Sequence, residues 1–361
     1  MKRLLYIFLL LPFSALSQYQ ISGRVLDLVD KKPIPNASVF LSNASAGTKT
    51  NDDGTYTISN VRGGQYELVV SIVGYAAYKQ TIMVNNNLSL PDIEMVSQAI
   101  ALREVKVMPD PDWAHHYDLF RREFLGTSEF TEQCKILSPK VLDFHYDSQS
   151  KELTASSSDY IEIENKALGY KVKYMLSAFT KNYHTSLLYF EGSAFFEELK
   201  GKKSAEKKWQ QNRLKAYLGS GMHFLRSVIS NNISEEGFKV LRLIRAPNPD
   251  YRGGFDNKYT ETLVTTPLTI NEFASLTDQK GQYALGFKDC LYVMYNKRPE
   301  HKGDTELIPQ YVTSTITFEQ PYAYFDNNGI IINPQSVVFE GIWAKSRLSE
   351  LLPVDYEPPK E

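Results

Sequence analysis

The chain reads as mainly β with an α+β second half: an N-terminal seven-stranded β-sandwich, then an α+β domain with an antiparallel sheet and a few helices. Three observations predict this. Short β-rich runs recur about every ten residues between Ile21 and Met95, with turn residues between them. Beyond position 140 apolar and polar residues alternate, as with Tyr170, Val172, Tyr174 and Leu176 against Lys171 and Lys173. Helical periodicity interrupts the β-runs at 113–125 and again at 204–230.

Residues 1–17 have a basic start (Lys2, Arg3), an apolar stretch from Leu4 to Phe13, and the small-residue end Ser14-Ala15-Leu16-Ser17. This is the pattern of a secretory signal peptide, with cleavage expected after Ser17 and Gln18 as the mature terminus. The apolar stretch is well short of the roughly 20 residues that a membrane-spanning helix needs. No cysteine follows it to carry a lipid anchor.

The sandwich strands are expected at Ile21–Leu26, Ala37–Leu41, Gly54–Ile58, Tyr66–Val73, Tyr78–Val84 and Leu90–Met95. Lys32-Pro33-Ile34-Pro35-Asn36 cannot continue a central strand, because proline has no amide donor for the ladder. Asn51-Asp52-Asp53-Gly54 supplies side chains that bond their own backbone and a glycine tolerant of positive φ, which predicts a tight hairpin turn. A calcium loop at the same place would need ligands at alternating positions ending in a bidentate glutamate, and these are missing.

Ile21-Ser22-Gly23-Arg24-Val25, Pro35-Asn36-Ala37-Ser38-Val39, Thr50-Asn51-Asp52-Asp53-Gly54-Thr55-Tyr56 and Ile72-Val73-Gly74-Tyr75 together resemble the carboxypeptidase-regulatory-like domain. That family is a small transthyretin-type β-sandwich that precedes many outer-membrane and periplasmic proteins of Bacteroidota. The resemblance implies an accessory module over 18–107 without chemistry of its own, in a protein exported to the periplasm. Leu102-Arg103-Glu104-Val105-Lys106-Val107 resembles the segment that leads from this module into the plug of TonB-dependent importers. An importer barrel would need hundreds of residues of alternating strand, and the remainder of this chain is too short and carries helices. The prolines of Met108-Pro109-Asp110-Pro111-Asp112 mark a linker at 108–112, and 113–361 is read as an α+β domain of unknown function.

Trp113 to Leu125 carries Tyr117, Phe120 and Phe124 on one helical stripe, with Asp112 as candidate N-cap and Gly126 as stop. Strands follow at Val141–Tyr146, Glu152–Ser156, Tyr160–Glu164, Tyr170–Phe179 and Ser186–Phe196. The helical stretch from Ser204 to Ser230 is expected to break at Gly219 and Gly221. Further strands are expected at Phe238–Arg245, Tyr283–Asn296, Val312–Phe318 and Ser336–Glu340, with a turn at Asp326-Asn327-Asn328-Gly329 and a last helix over Ile342–Leu351. Glu164–Tyr170, Tyr217–Ser220 and Leu351–Pro353 resemble uncharacterised second domains that follow this sandwich in Bacteroidota, a resemblance that implies no activity.

Composition bounds the function classes. Apolar residues make up 42% and aromatic residues 12%, enough for buried cores. Lys plus Arg number 40 against 42 Asp plus Glu; without Lys2 and Arg3 the balance is 38 against 42, a formal −4. Such a chain carries no electrostatic footprint for nucleic acid. The two cysteines, Cys134 and Cys290, are read as separate buried thiols, although a periplasmic location would permit them to pair.

The search for chemistry returns little. The histidines at 115, 116, 145, 184, 223 and 301 form no ligand pair with metal spacing, and no metal or cofactor is expected. Gly219-Ser220-Gly221-Met222-His223 has the letters of a nucleophile elbow, but helix-like residues flank it on both sides where the elbow needs a strand before it; a helix-to-helix turn is expected. The most basic segment, Lys200–Lys215, surrounds Trp209 and offers Lys207, Lys208 and Trp209 as candidate partner contacts, to lipid headgroups, lipopolysaccharide phosphates or an acidic protein face, while the surplus of tyrosines is a candidate glycan-stacking surface that sheet packing mostly explains. The function expected is a non-enzymatic binding or adaptor protein at the periplasmic side of the outer membrane, as a subunit of an envelope complex. The alternative is a periplasmic hydrolase of peptides or glycans with groups such as Glu162, Glu164, Asp289 and Glu319 gathered from distant positions.

Overall fold

The computed structural model describes residues 18–97, 112–252, 258–297 and 312–359. The leader at 1–17, the Leu102–Val107 segment, most of the linker and His301 lie outside the described residues. Strands β1 (Gln18–Asp27), β2 (Ser38–Leu41), β3 (Gly47–Lys49), β4 (Thr55–Arg62), β5 (Gly64–Ser71), β6 (Tyr78–Val84), β7 (Leu88–Ser89) and β8 (Ile93–Met95) build the sandwich. One sheet has the order β4-β1-β7 with β8 also on β1, and the other β3-β2-β5-β6. Inward residues such as Ile21, Val39, Leu41, Ile58 and Leu68 form a common core. Eight strands stand where seven were expected. β3 is only three residues long, too short for alternation to register in the sequence.

The predicted hairpin at Asn51–Gly54 forms. Asp53 accepts hydrogen bonds from the Thr55 backbone amide (3.0 Å) and hydroxyl (2.7 Å), so its carboxylate serves the turn. Gly54 has φ of +78°, and a Cβ there would lie 2.5 Å from the Val25 carbonyl oxygen. Only glycine meets both conditions.

After α1 (Trp113–Leu125), strands β9 (Cys134–Ile136), β10 (Leu142–Asp147), β11 (Glu152–Ser157), β12 (Ile161–Asn165), β13 (Tyr170–Asn182) and β14 (Leu188–Glu198) form a sheet of order β10-β11-β13-β12-β9, with β14 on β13. The predicted α1 stripe packs on this sheet: Phe120 and Phe124 are fully buried, and their rings meet Phe179 and Tyr174. Helices α2 (Lys203–Tyr217) and α3 (Gly221–Ile229) are separated at Gly219-Ser220, where Gly219 has φ of +79° and the Ser220 hydroxyl caps α3 by accepting the His223 amide at 3.1 Å. The tempting Gly-Ser-Gly segment is therefore a helix-to-helix turn.

Strands β15 (Phe238–Pro247), β16 (Tyr259–Pro267), β17 (Ala274–Leu276), β18 (Gln282–Leu285), β19 (Cys290–Tyr295), β20 (Val312–Phe318), β21 (Ala323–Asp326) and β22 (Val337–Gly341), with α4 (Ile342–Lys345), complete the chain. They form a sheet of order β16-β15-β19-β20-β22 and a small one of order β17-β18-β21. The run read as one strand over Tyr283–Asn296 is two strands in different sheets. Gly286 lies so close to the Pro321 carbonyl that a Cβ would sit 2.9 Å from it, and the backbone bends just beyond it, at Lys288 and Asp289. The helix expected over Ile342–Leu351 is four residues of α-helix and a separate short turn, because Arg347 is extended between them.

The residues after 112 gather around two hydrophobic clusters, one under β9–β14 and one under β15–β22. The α2–α3 pair spans them: Tyr217 belongs to the first, and Phe224, Leu225 and Val228 to the second. Cys134 and Cys290 are both free and buried, and burial pushes the Cys134 thiol up to about 12. No helix among the described residues is long and apolar enough to cross a membrane.

Several contacts join the sandwich to the rest, and three of them bear on the junction. The loop after β2 extends the β14 edge, with Asn43 N–H donating to the Ala194 carbonyl (2.7 Å) and Phe196 N–H to that of Ala44 (3.1 Å). The turn after β21 meets β5 through Gln65 N–H to Asn327 Oδ1 (3.0 Å) and Asn328 Nδ2 to the Gln65 carbonyl (2.7 Å). The carboxy-terminal stretch then crosses the junction: Leu352 enters the β9–β14 core, and two residues later Val354 enters the sandwich core.

Candidate functional site

That crossing forms one wall of a cavity of about 440 Å³, within the usual size range of ligand sites. Its lining draws on several elements: Ser45 from the sandwich, Tyr170 from β13, Glu198 from β14, Arg213 from α2, and Asp355 and Tyr356 from the tail. Alternation along β13 turns Tyr170 inward, where only 3% of it is exposed. Its ring lies edge-on to Phe196 and beneath the Arg213 guanidinium, 3.9 Å away. Its hydroxyl has no hydrogen-bond partner among the described residues, yet is not among the unpaired hydroxyls sealed from solvent. Burial raises the Tyr170 pKa strongly; Arg213 opposes that shift and Glu198, Asp355 and Tyr356 add to it. The charges that act on the phenol are those of the cavity wall.

The rest of the wall is mostly acceptor. Arg213 spends three of its five N–H donors on the Leu168 carbonyl (2.8 Å), the Gly169 carbonyl (3.3 Å) and Glu198 Oε1 (2.7 Å). Glu198 itself is 65% exposed. Asp355 accepts from the Ser45 amide (3.1 Å) and hydroxyl (2.5 Å), which fixes the tail against the sandwich loop. Glu357 pairs with Arg62 across the same boundary. Burial pushes the phenol of Tyr356 up to about 12, and its hydroxyl is sealed and unpaired. A pocket of carboxylate acceptors with two neutral tyrosines and the Gln210 amide can accept many hydrogen bonds from a polar ligand and pack against its apolar faces.

Ser45 belongs to a stretch with a known pattern. Residues 21–107 match the family model of the CarboxypepD_reg-like domain. No curated protein matches the sequence. Solved structures give remote likenesses. A type II cohesin–X-dockerin complex of Acetivibrio cellulolyticus is 16% identical, covering 21% of this chain and 56% of that one at a TM-score of 0.20. A DUF3823 family protein from Bacteroides ovatus is 11% identical, covering 51% and 100% at a TM-score of 0.19. A protein from Bacteroides uniformis, described only provisionally as carbohydrate binding, is 6% identical, covering 85% and 98% at a TM-score of 0.19. The chain spans little more than half the length of the first, and none is close enough to carry a fold or a function across.

The residues singled out in the sequence lie around the cleft or away from it. Lys207 and Lys208 are exposed on α2, the helix that supplies Arg213. Trp209 is committed internally: its indole N–H donates to the Lys166 carbonyl (2.9 Å), and Cβ atoms at Gly169 and Gly201 would fall 2.3 and 2.6 Å from its ring. Glu162 and Glu164 pair with Lys171 and Lys166, each at 3.0 Å, while Asp289 pairs with Arg242 in a different sheet, so the fold does not bring this set together. No group of three or more His, Cys, Asp or Glu residues among those described is arranged to hold a metal. Sequence reading missed Asp355 and Tyr356. Their signal was an acidic-aromatic triplet, Asp355-Tyr356-Glu357, held between prolines.

Proposed function

We propose that the protein is an exported, non-enzymatic binding or adaptor protein working at the periplasmic side of the outer membrane, and that its junction cleft takes a hydroxyl-rich ligand of the glycan class. One observation carries the ligand reading: Tyr170, 3% exposed and with no hydroxyl partner among the described residues, lines a cavity that also holds the carboxylates of Glu198, Asp355 and Glu357. That hydroxyl is open to the cavity rather than sealed, so it is available to bond to what enters there. Sugar hydroxyls donate to carboxylates and accept from a phenol, and tyrosine and proline faces pack against sugar rings. Export rests on the leader pattern of residues 1–17, and the envelope partner on the accessory character of the sandwich family.

Calorimetric titration of the mature protein with soluble envelope and dietary glycans tests the reading. Saturable binding is expected without change in the glycan's chain length. Tyr170→Phe is expected to lower affinity about three- to tenfold, the value of one hydrogen bond, with an unchanged melting temperature. If no glycan binds at millimolar concentration, or Tyr170→Phe binds as well as the parent, the cleft is not a glycan site. Cytoplasmic fractionation of the native protein would remove the export reading.

A further inference from the structure

A second cavity, on the other side of the Ala44–Phe195 contact, is of different character. On β2 the inward residues are Val39 and Leu41, so Phe40 projects from the outer face of the sandwich toward the β9–β14 sheet. It meets Phe195 at 5.5 Å and Tyr160 at 6.4 Å between ring centroids. Gly47 permits this approach, since a Cβ there would fall 2.6 Å from the Phe195 ring. Beside the three rings is a cavity of about 190 Å³. A dry cavity of about 150 Å³ is known to admit benzene, so this one has room for one aromatic ring.

The polar part of the lining gives that ring a charge preference. Lys173 is neutralised by Glu197 at 2.8 Å. Lys49 is exposed on the edge strand β3 and has no ion pair among the described residues, so Lys49 and Lys173 against Glu197 leave a net +1 in the lining. Ser38, paired with it across β2 and β3, has a hydroxyl without a hydrogen-bond partner among the described residues. Two unengaged donors at the rim of an aromatic-walled hole suit an acceptor anion attached to a ring.

We propose that this cavity binds a compact aromatic carboxylate, with the ring among Phe40, Tyr160 and Phe195 and the carboxylate at Lys49 and Ser38. The proposal is independent of the glycan cleft and needs neither its residues nor its ligand. Fluorine NMR of para-fluorobenzoate, para-fluorobenzyl alcohol and para-fluorobenzylamine with the mature protein tests it, together with backbone amide shifts. The benzoate is expected to bind best and the amine least, with shifts at Gly47, Thr48 and Lys49. Lys49→Gln is expected to weaken the benzoate about tenfold, the value of a charged hydrogen bond, and to leave the alcohol and the melting temperature unchanged. Equal binding of all three probes, benzoate affinity retained in Lys49→Gln, or shifts confined to other residues would each overturn the assignment.

Discussion

The Arg226 guanidinium donates to the backbone carbonyl of Val354 at 2.8 Å, so a side chain rooted in helix α3 holds the residue that plugs the sandwich core. The same guanidinium reaches the Asn328 carbonyl (2.9 Å) and the Tyr356 carbonyl (2.8 Å) and lies over the Tyr217 ring. One cation thus joins α3, the β21 turn and the tail wall of the cleft.

Arg226→Lys should be costly despite the retained charge. An ammonium on a flexible stem cannot reproduce a planar fork that serves three carbonyls. Loss of one or two charge-assisted bonds is expected to cost about 2–4 kcal/mol in denaturant unfolding. Limited proteolysis should then cut the tail near Val354 in the variant while the parent resists, and an unaltered digest would refute the strut.

Two glycines separate conformational strain from steric conflict. Gly54 and Gly74 have φ of +78° and +91°, but a Cβ at Gly54 would strike the Val25 carbonyl whereas one at Gly74 meets nothing within 4 Å. Gly74→Ala should cost about 1 kcal/mol, from the backbone alone. Gly54→Ala should cost clearly more; equal losses in chemical denaturation would show that the turn relaxes.

Acid should weaken the α2–α3 corner through His223. Gly219 N–H donates to His223 Nδ1 (3.1 Å), which leaves the proton on Nε2 facing Glu236 (3.1 Å). Burial lowers the His223 pKa below its ordinary 6.5, and Glu236 only partly offsets this. The unfolded chain therefore takes up the proton first. Stability from this group is fully present above pH 6.5 and falls as pH drops below it. Melting temperatures from pH 7.5 to 5 should decline more steeply for the parent than for His223→Gln, and parallel curves would exclude the histidine as the cause.

The basic face of α2 divides into a structural residue and two free ones. Trp209→Ala should cost about 2 kcal/mol, since its ring fills the space over Gly169. Reversal at Lys207 and Lys208 should leave the melting temperature alone, both being exposed. If this face meets an envelope component, the double reversal should reduce co-purification after gentle solubilisation. Undiminished recovery of that component would assign the contact elsewhere.

The mature chain should begin at Gln18, cyclised or not, when its intact mass is measured after export. Retention of Met1 would contradict the leader.

Local order was legible because it is written in neighbouring residues. Alternation at Tyr170, Val172 and Tyr174, the stripe of Phe120 and Phe124, the Asn51–Gly54 hairpin and the break at Gly219 each depend on a period or a turn chemistry that spans a few positions. The sequence alone therefore determined the β-sandwich, the strand-rich second half and the helix-to-helix turn at Ser220. It did not show that Tyr283–Asn296 divides between two sheets: the run reads as one strand although Gly286-Phe287-Lys288-Asp289 interrupts its apolar residues, and which sheet each half joins is set by its partners, β17 and β21 for one and β15 and β20 for the other. Nor did it show the cleft. Ser45, Tyr170, Arg213 and Asp355 come from separate elements, and no short-range pattern relates them. Val354 looks like loop when read among prolines and acids, and becomes core only because Asn43, Ser45 and Arg226 hold its neighbours across the junction. Side chains meet there by burial and hydrogen bonding between distant segments, which only the tertiary structure decides.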